Sequence, residues 1–199
     1  KMTKSARPND NGADALETED LIEKAVRGND WRILNPAQIG EGKFTDRVTV
    51  ILPCYMGQKE LGLTFAGLAK QTYPHHLIEI IVVDDGSNPP IELPSNLPFE
   101  VSIAAQERDG FGLARARNLG AKNAKGGILI FLDCDMIPEA QLVEAHARWH
   151  HVNKFALTLG FRNHADFSDI SPEDLADANG PEDTVRGRNV TSPQWIEFH

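Results

Sequence analysis

The sequence runs to 199 residues, 41% hydrophobic and 25% charged, which is enough apolar material for one ordinary core and too much for global disorder. Its 29 acidic and 20 basic side chains give a formal net charge of −9, which repels a phosphate backbone and argues against a nucleic-acid partner. Two cysteines cannot build a disulfide framework, and no apolar run approaches the ~18 residues of a membrane span.

Cys54 and Cys134 match no zinc-ligand spacing and read as reduced thiols of a cytoplasmic protein. No signal-peptide pattern is present, so any membrane association is expected to come from a partner or from sequence outside these residues.

In chain order, residues 1–16 are polar and breaker-rich, the pattern of a tail. ETEDLIEKAVRG (17–28) predicts a short helix with acids in its first turn and Gly28 as its stop. A connector follows to residue 46, with Trp31, Ile33, Leu34 and Phe44 as expected anchors. RVTVILP (47–53) is a β-branched run that predicts a buried strand, and the spacing of Leu61, Phe65, Leu68 and Ala69 predicts a helix over 57–71. IEIIVVDDGS (78–87) is a second buried strand ending in acids and a Gly-Ser turn, and FEVSIAAQ (99–106) alternates as a third. GLARARNLGAKNAKG (112–126) predicts a small-residue helix, GILIFLDCD (127–135) a fourth strand, and PEAQLVEAHARWHH (138–151) a helix opened by Pro138. KFALTLGFR (154–162) reads as a fifth strand, and SPEDLADAN (171–179) as a helix capped by Ser171. Residues 180–194 read as loop, and QWIEFH (194–199) alternates like one end of a strand.

Strands alternating with helices imply right-handed βαβ units and an α/β fold with a mainly parallel, Rossmann-like sheet flanked by helices. Ligands of such sheets bind at the carboxyl ends of the strands. Pro53-Cys54-Tyr55, Asp84-Asp85-Gly86-Ser87 and Asp133-Cys134-Asp135 all fall there.

Asp133 and Asp135 share a face if the strand persists, and flank a tight turn if it does not. Either way two carboxylates come close, and like charges that close oppose each other's ionisation unless a cation sits between them. Carboxylate oxygens suit Mg²⁺ or Mn²⁺, whose remaining positions are filled by water and substrate phosphates. D-x-D at a strand end therefore suggests a metal-held diphosphate; the plainer alternative is two solvated acids. In VVDDGS a carboxylate can accept from a uracil imide N–H or from ribose hydroxyls, or the segment is simply an acidic turn. Arg108, Arg115 and Arg117 offer phosphate-matching guanidinium groups. Arg115 and Arg117 stand about 200° apart around a helix, so only one can face the site, and Arg117 is favoured.

The succession VTVILPCY, LAKQTYP, IEIIVVDDGS and GLARARNLGAKNAKGGILIFLDCDMIP, over about residues 47–161, resembles family 2 glycosyltransferases of the GT-A fold. That family's pattern is a strand ending P-x-Y/F, a helix ending in Q-x-Y-P, then V-V-D-D-G-S, A-R-N-x-G and F-L-D-x-D. GLARAR also resembles the matching stretch of polypeptide N-acetylgalactosaminyltransferases. The resemblance implies a metal-dependent, inverting transfer from a UDP-sugar donor to an unknown glycan, lipid, protein or small-molecule acceptor. By it, Pro53 and Tyr55 shape the nucleotide pocket, and Asp85, with Asp84 nearby, contacts uridine. Arg108 and Arg117 lie near the nucleotide or diphosphate, Asp133 contacts ribose or donor sugar, and Asp135, with Asp133, binds Mn²⁺ or Mg²⁺.

The implied organisation is a tail, short helix and connector over 1–46, a nucleotide-sugar-binding core over 47–162, and a loop-rich segment over 163–199. That last segment leads toward an acceptor-binding half. Inverting family members carry the acid that deprotonates the acceptor late in the chain, and no acid before residue 162 replaces it, so the base is expected beyond His199. The alternatives are a nucleotide-sugar-binding module without transfer activity, or a truncated inactive piece. A nucleotidyltransferase is disfavoured, because PCYMGQKE lacks a Gly-rich basic phosphate loop.

Overall fold

The computed structural model describes residues 27–178 together with residues 20, 21, 23 and 24. The expected tail and the segment 180–199 lie outside the described residues. Residues 20, 21, 23, 24, 27 and 28 are helical, as the first-turn acids and Gly28 predict. Four parallel strands follow: β1 (Val48–Cys54), β2 (Ile78–Asp84), β3 (Glu100–Ala105) and β4 (Ile128–Phe131), side by side in the order β3-β2-β1-β4. Every residue of β1 and β2 is buried, which is why both read as unbroken apolar runs rather than as alternations.

Three helices cover the sheet. On one face, α1 (Gln58–Leu68) and α3 (Leu142–Val152) pack Leu61, Phe65, Leu68, Val143 and Ala147 over Val50, Leu52, Ile80, Val82 and Ile130. On the other, α2 (Leu113–Asn123) sets Ala116 and Leu119 against Ile51, Ile81 and Val83. Each such Leu, Ile or Val contributes on the order of 1.5–3 kcal/mol through burial. A short α4 (Pro172–Asp177), opened by a capping box between Ser171 and Asp174, packs Leu175 with Leu63 of α1.

The amino-terminal end of the sheet is closed by charge. Glu79, in β2 and only 2% exposed, accepts from Thr49 Oγ1 at 2.6 Å and from the Lys125 backbone N–H at 2.8 Å. Arg47 and the Lys125 ammonium stand 3.8 and 3.6 Å from its other oxygen.

Three expectations need correction. Residues 154–162 do not join the sheet. Their alternating apolar side chains Phe155, Leu157, Leu159 and Phe161 are 79–90% exposed, and among the described residues no strand lies beside them to take their backbone hydrogen bonds. The helix expected at Pro138 starts instead at Leu142, because the preceding carbonyls are engaged elsewhere. Glu139 O accepts from the Gln71 amide at 2.7 Å and Ala140 O from the Thr72 N–H at 2.8 Å, while Gln71 Oε1 takes the Val143 N–H at 2.9 Å. Of the connector's expected anchors, Phe44 packs on Tyr73 at 4.7 Å, whereas Trp31 stays exposed and only touches the edge of Trp149 at 5.9 Å. No helix among the described residues is long and apolar enough to cross a membrane.

Candidate functional site

The carboxyl ends of β1, β2 and β4 open onto one cleft of about 480 Å³. Its lining includes Pro53, Tyr55, Asp85, Arg108, Asp133 and Asp135.

The two acids after β2 divide their tasks. Asp84 turns inward: Oδ1 accepts from the Ser87 N–H at 2.8 Å and Oδ2 from the Ile91 N–H at 3.1 Å. It thereby folds the Asp-Gly-Ser turn, in which Gly86 takes φ +75°, a conformation side chains other than hydrogen rarely adopt. Ser87 Oγ accepts from the Met56 N–H at 2.9 Å, and the Asp85 N–H donates to the Cys54 carbonyl at 2.9 Å, so the turn is tied to the end of β1. Asp84 does not line the cleft.

Asp85 does. Gln106 Nε2 donates to Oδ1 at 2.6 Å, and Arg108 Nη1 donates to Oδ2 at 3.1 Å. The carboxylate also presses against Gly112, the residue before α2: a Cβ there would stand 2.3 Å from Oδ1. The positive end of the α2 dipole adds to the stabilisation of its charge. Arg108 lies over the Tyr55 ring with its guanidinium carbon 3.4 Å from the ring centroid, a cation–π contact. Tyr55, Arg108 and Asp85 thus form one wall, with an exposed aromatic face, fixed donors and a held carboxylate.

The opposite wall follows β4. The strand stops at Phe131, so Asp133-Cys134-Asp135 forms a turn, closed by the Met136 N–H on the Asp133 carbonyl at 3.1 Å. Thr64 Oγ1 of α1 donates to the Cys134 carbonyl at 2.7 Å and anchors the turn. Arg117 Nη2 donates to Asp133 Oδ1 at 2.7 Å, while Arg115 points away to the Glu107 carbonyl, also at 2.7 Å. The Cys134 and Cys54 thiols lie close together, which lowers the Cys54 thiol pKa and, together with burial, raises that of Cys134.

A hard divalent cation fits this turn. Asp135 is exposed, lines the cleft and has no hydrogen-bond or ion-pair partner among the described residues. Among those residues no three His, Cys, Asp or Glu side chains form a metal cage. A site built on Asp135 and the second oxygen of Asp133 would leave most coordination positions to water and phosphate, as Mg²⁺ and Mn²⁺ favour.

Sequence reasoning alone missed Gln106, Gly112 and Phe111. Gln106 sits one position past β3 and was findable by applying the strand-end rule to that strand as well. Phe111, 86% exposed at the mouth of the cleft, stands between Gly110 and Gly112.

Among known proteins, the chain is 31% identical to a chondroitin synthase of Escherichia coli over 126 residues, covering 62% of this chain and 18% of that one. It is 29% identical to a hyaluronan synthase of Pasteurella multocida over 131 residues, covering 64% and 13%. It therefore spans less than a fifth of the length of either relative. A similar solved structure is S. aureus TarS in complex with UDP, at 25% identity and TM-score 0.45, covering 53% of this chain and 32% of that one. Residues 49–172, more than half of the chain, match the model of glycosyl transferase family 2, and the chain belongs to that family.

Proposed function

We propose that this chain forms the donor-binding part of a metal-dependent glycosyltransferase that moves a sugar from a UDP-sugar to an acceptor with inversion. The observation that carries the reading is one cleft with two unlike walls: one of Tyr55, Arg108 and Asp85, and one of Asp133 and Asp135, with Arg117 outside the lining and bonded to Asp133. Tyr55 and Pro53 flank the base, and Asp85 accepts from the uracil imide. Asp84, with its oxygens spent on the turn, positions Asp85 rather than touching uridine. Arg117 orients Asp133 toward ribose or donor sugar and brings positive charge to the diphosphate. Asp135, helped by Asp133, would hold Mn²⁺ or Mg²⁺, which when bound supplies Lewis-acid neutralisation of the departing UDP. None of the described residues is assigned as the base that takes the acceptor proton. The names of the relatives, chondroitin synthase and hyaluronan synthase, favour a glycan acceptor over lipid, protein or small molecule. Two cysteines present as thiols fit a cytoplasmic setting.

Isothermal titration with UDP, with and without Mn²⁺, tests the reading. Binding should require or be strengthened by metal, and GDP should bind more weakly than UDP. Asp135→Ala should abolish the metal-dependent part alone. Folded protein that gives no heat with UDP and Mn²⁺ would overturn the proposal.

A further inference from the structure

The cleft holds a pair of side chains that the proposed transfer does not use. The chain contains two cysteines, 80 positions apart, and both are free thiols. The β1–β4 register runs at that same offset: Val48 faces Ile128 and Ile51 faces Phe131. The Leu132 N–H continues the ladder onto the Ile51 carbonyl at 3.1 Å. Beyond Leu132 the chain leaves the ladder for the Asp133–Asp135 turn, which holds Cys134 beside the end of β1 at Cys54. Adjacent strands lie about 4.8 Å apart where they pair, and a disulfide spans ~4.4–6.8 Å between Cα atoms.

The side chains agree with this placement. A Cβ placed on Gly57 would lie 3.1 Å from Cys134 Sγ and 3.3 Å from Cys54 Sγ, so both sulfurs converge on one point, kept open by the lack of a side chain there. Both line the cleft: Cys54 is 2% exposed and Cys134 half-buried. Their backbones are pinned, Cys54 O by the Asp85 N–H and Cys134 O by the Thr64 hydroxyl.

We propose that Cys54 and Cys134 form a reversible oxidation site, at which a small hydroperoxide entering the cleft joins the two sulfurs in a disulfide between β1 and the Asp133–Asp135 turn. One thiol sulfur attacks a peroxide oxygen, the O–O bond breaks, and the thiol proton leaves with the departing oxygen as water or alcohol. The resulting sulfenic acid is attacked by the second sulfur. The S–O bond breaks, the S–S bond forms, and water leaves with the second thiol's proton. In sum two thiols and one hydroperoxide give one disulfide, one water and one further water or alcohol: sulfur is oxidised and the peroxide reduced. An external dithiol restores the starting state by exchange. The bond shortens the sulfur separation to about 2.05 Å and draws in the residue between Asp133 and Asp135. The effect on ligand rests on the donor-binding reading above: oxidised protein should bind UDP with Mn²⁺ at least tenfold more weakly, because both carboxylates are re-aimed.

The test begins with the folded 199-residue chain treated with hydrogen peroxide, blocked with maleimide and mapped by non-reducing peptide mass spectrometry. The expected product is one intramolecular Cys54–Cys134 peptide pair lacking two hydrogens, with both thiols maleimide-reactive again after dithiothreitol. Sulfinic acid on one cysteine with the other still reactive, an intermolecular dimer, or no change would overturn the site. UDP titration of the oxidised and reduced forms then reads the consequence: equal affinity overturns the coupling. Reduced protein that binds no UDP would instead refute the donor-binding reading, and the peptide map would still decide the disulfide.

Discussion

Gly112→Ala isolates the grip on Asp85. The backbone at this position has φ −89° and ψ 10°, outside the positive-φ region that favours glycine, so the new methyl group is the main perturbation. That methyl would lie 2.3 Å from Asp85 Oδ1 and 2.7 Å from Oδ2, against the 3.4 Å at which ordinary contact begins. The carboxylate must withdraw by about 1 Å, which stretches the 2.6 Å bond from Gln106 beyond hydrogen-bond reach. On the proposed role of Asp85, the displaced carboxylate also loses its bond from the base, and loss of one hydrogen bond to a charged group, about 1.5–3 kcal/mol, is roughly ten- to a hundred-fold in UDP affinity. Gly120→Ala is the matched control. Its Cβ would stand 2.4 Å from Ile51 Cγ2 in the packing between α2 and the sheet, so it should lower stability by about 1–3 kcal/mol and leave affinity within a few-fold. Isothermal titration and urea unfolding of both variants separate the two effects. Wild-type UDP affinity in folded Gly112→Ala would refute the claim that this contact holds Asp85 for its ligand.

Glu79→Ala strands the Thr49 hydroxyl and the Lys125 N–H at the far end of the sheet, and should cost about 2–5 kcal/mol in urea unfolding while UDP affinity holds. Arg117→Ala should weaken UDP–Mn²⁺ binding about tenfold by titration, whereas Arg115→Ala, whose partner is a loop carbonyl, should stay within roughly twofold. Tyr73 donates its hydroxyl to the Asp46 carbonyl at 2.7 Å, and burial pushes its pKa from 10.0 up to about 12. Folding thus favours the neutral phenol: its stabilisation is complete below pH 10 and is lost as pH rises through about 12. The loss amounts to about 2–3 kcal/mol. Urea midpoints across that window should fall less steeply in Tyr73→Phe than in wild type.

What the sequence discloses follows from where each side chain's energy is decided. VTVIL and IEIIVV are legible because a strand buried on both faces demands apolar, β-branched residues whatever its neighbours do. The meeting of Asp85 with Asp133 and Asp135 at one edge is legible because parallel topology delivers all strand ends there. The division between Asp84 and Asp85 is not, since two adjacent carboxylates are chemically alike. Only the backbone N–H groups of Ser87 and Ile91, brought around by the turn, draw one of them inward. The start of α3 is illegible for a similar reason: Gln71, about seventy residues earlier, competes for the carbonyls and N–H groups that a local cap would use. Residues 154–162 carry a strand's alternation, but a strand is a property of a pair.

That exposed alternation also bears on how the chain behaves in solution. Phe155, Leu157, Leu159 and Phe161 present a short, uncharged, β-prone stretch to water, with Lys154 and Arg162 as its only flanking charges. Such stretches nucleate edge-to-edge assembly, and charged flanks restrain but do not abolish it. Concentrated preparations should therefore lose material to β-rich aggregates that start at this stretch, none of whose residues lines the cleft. Leu157→Lys and Leu159→Glu, at positions 90% and 88% exposed, would suppress that loss without touching any cleft residue.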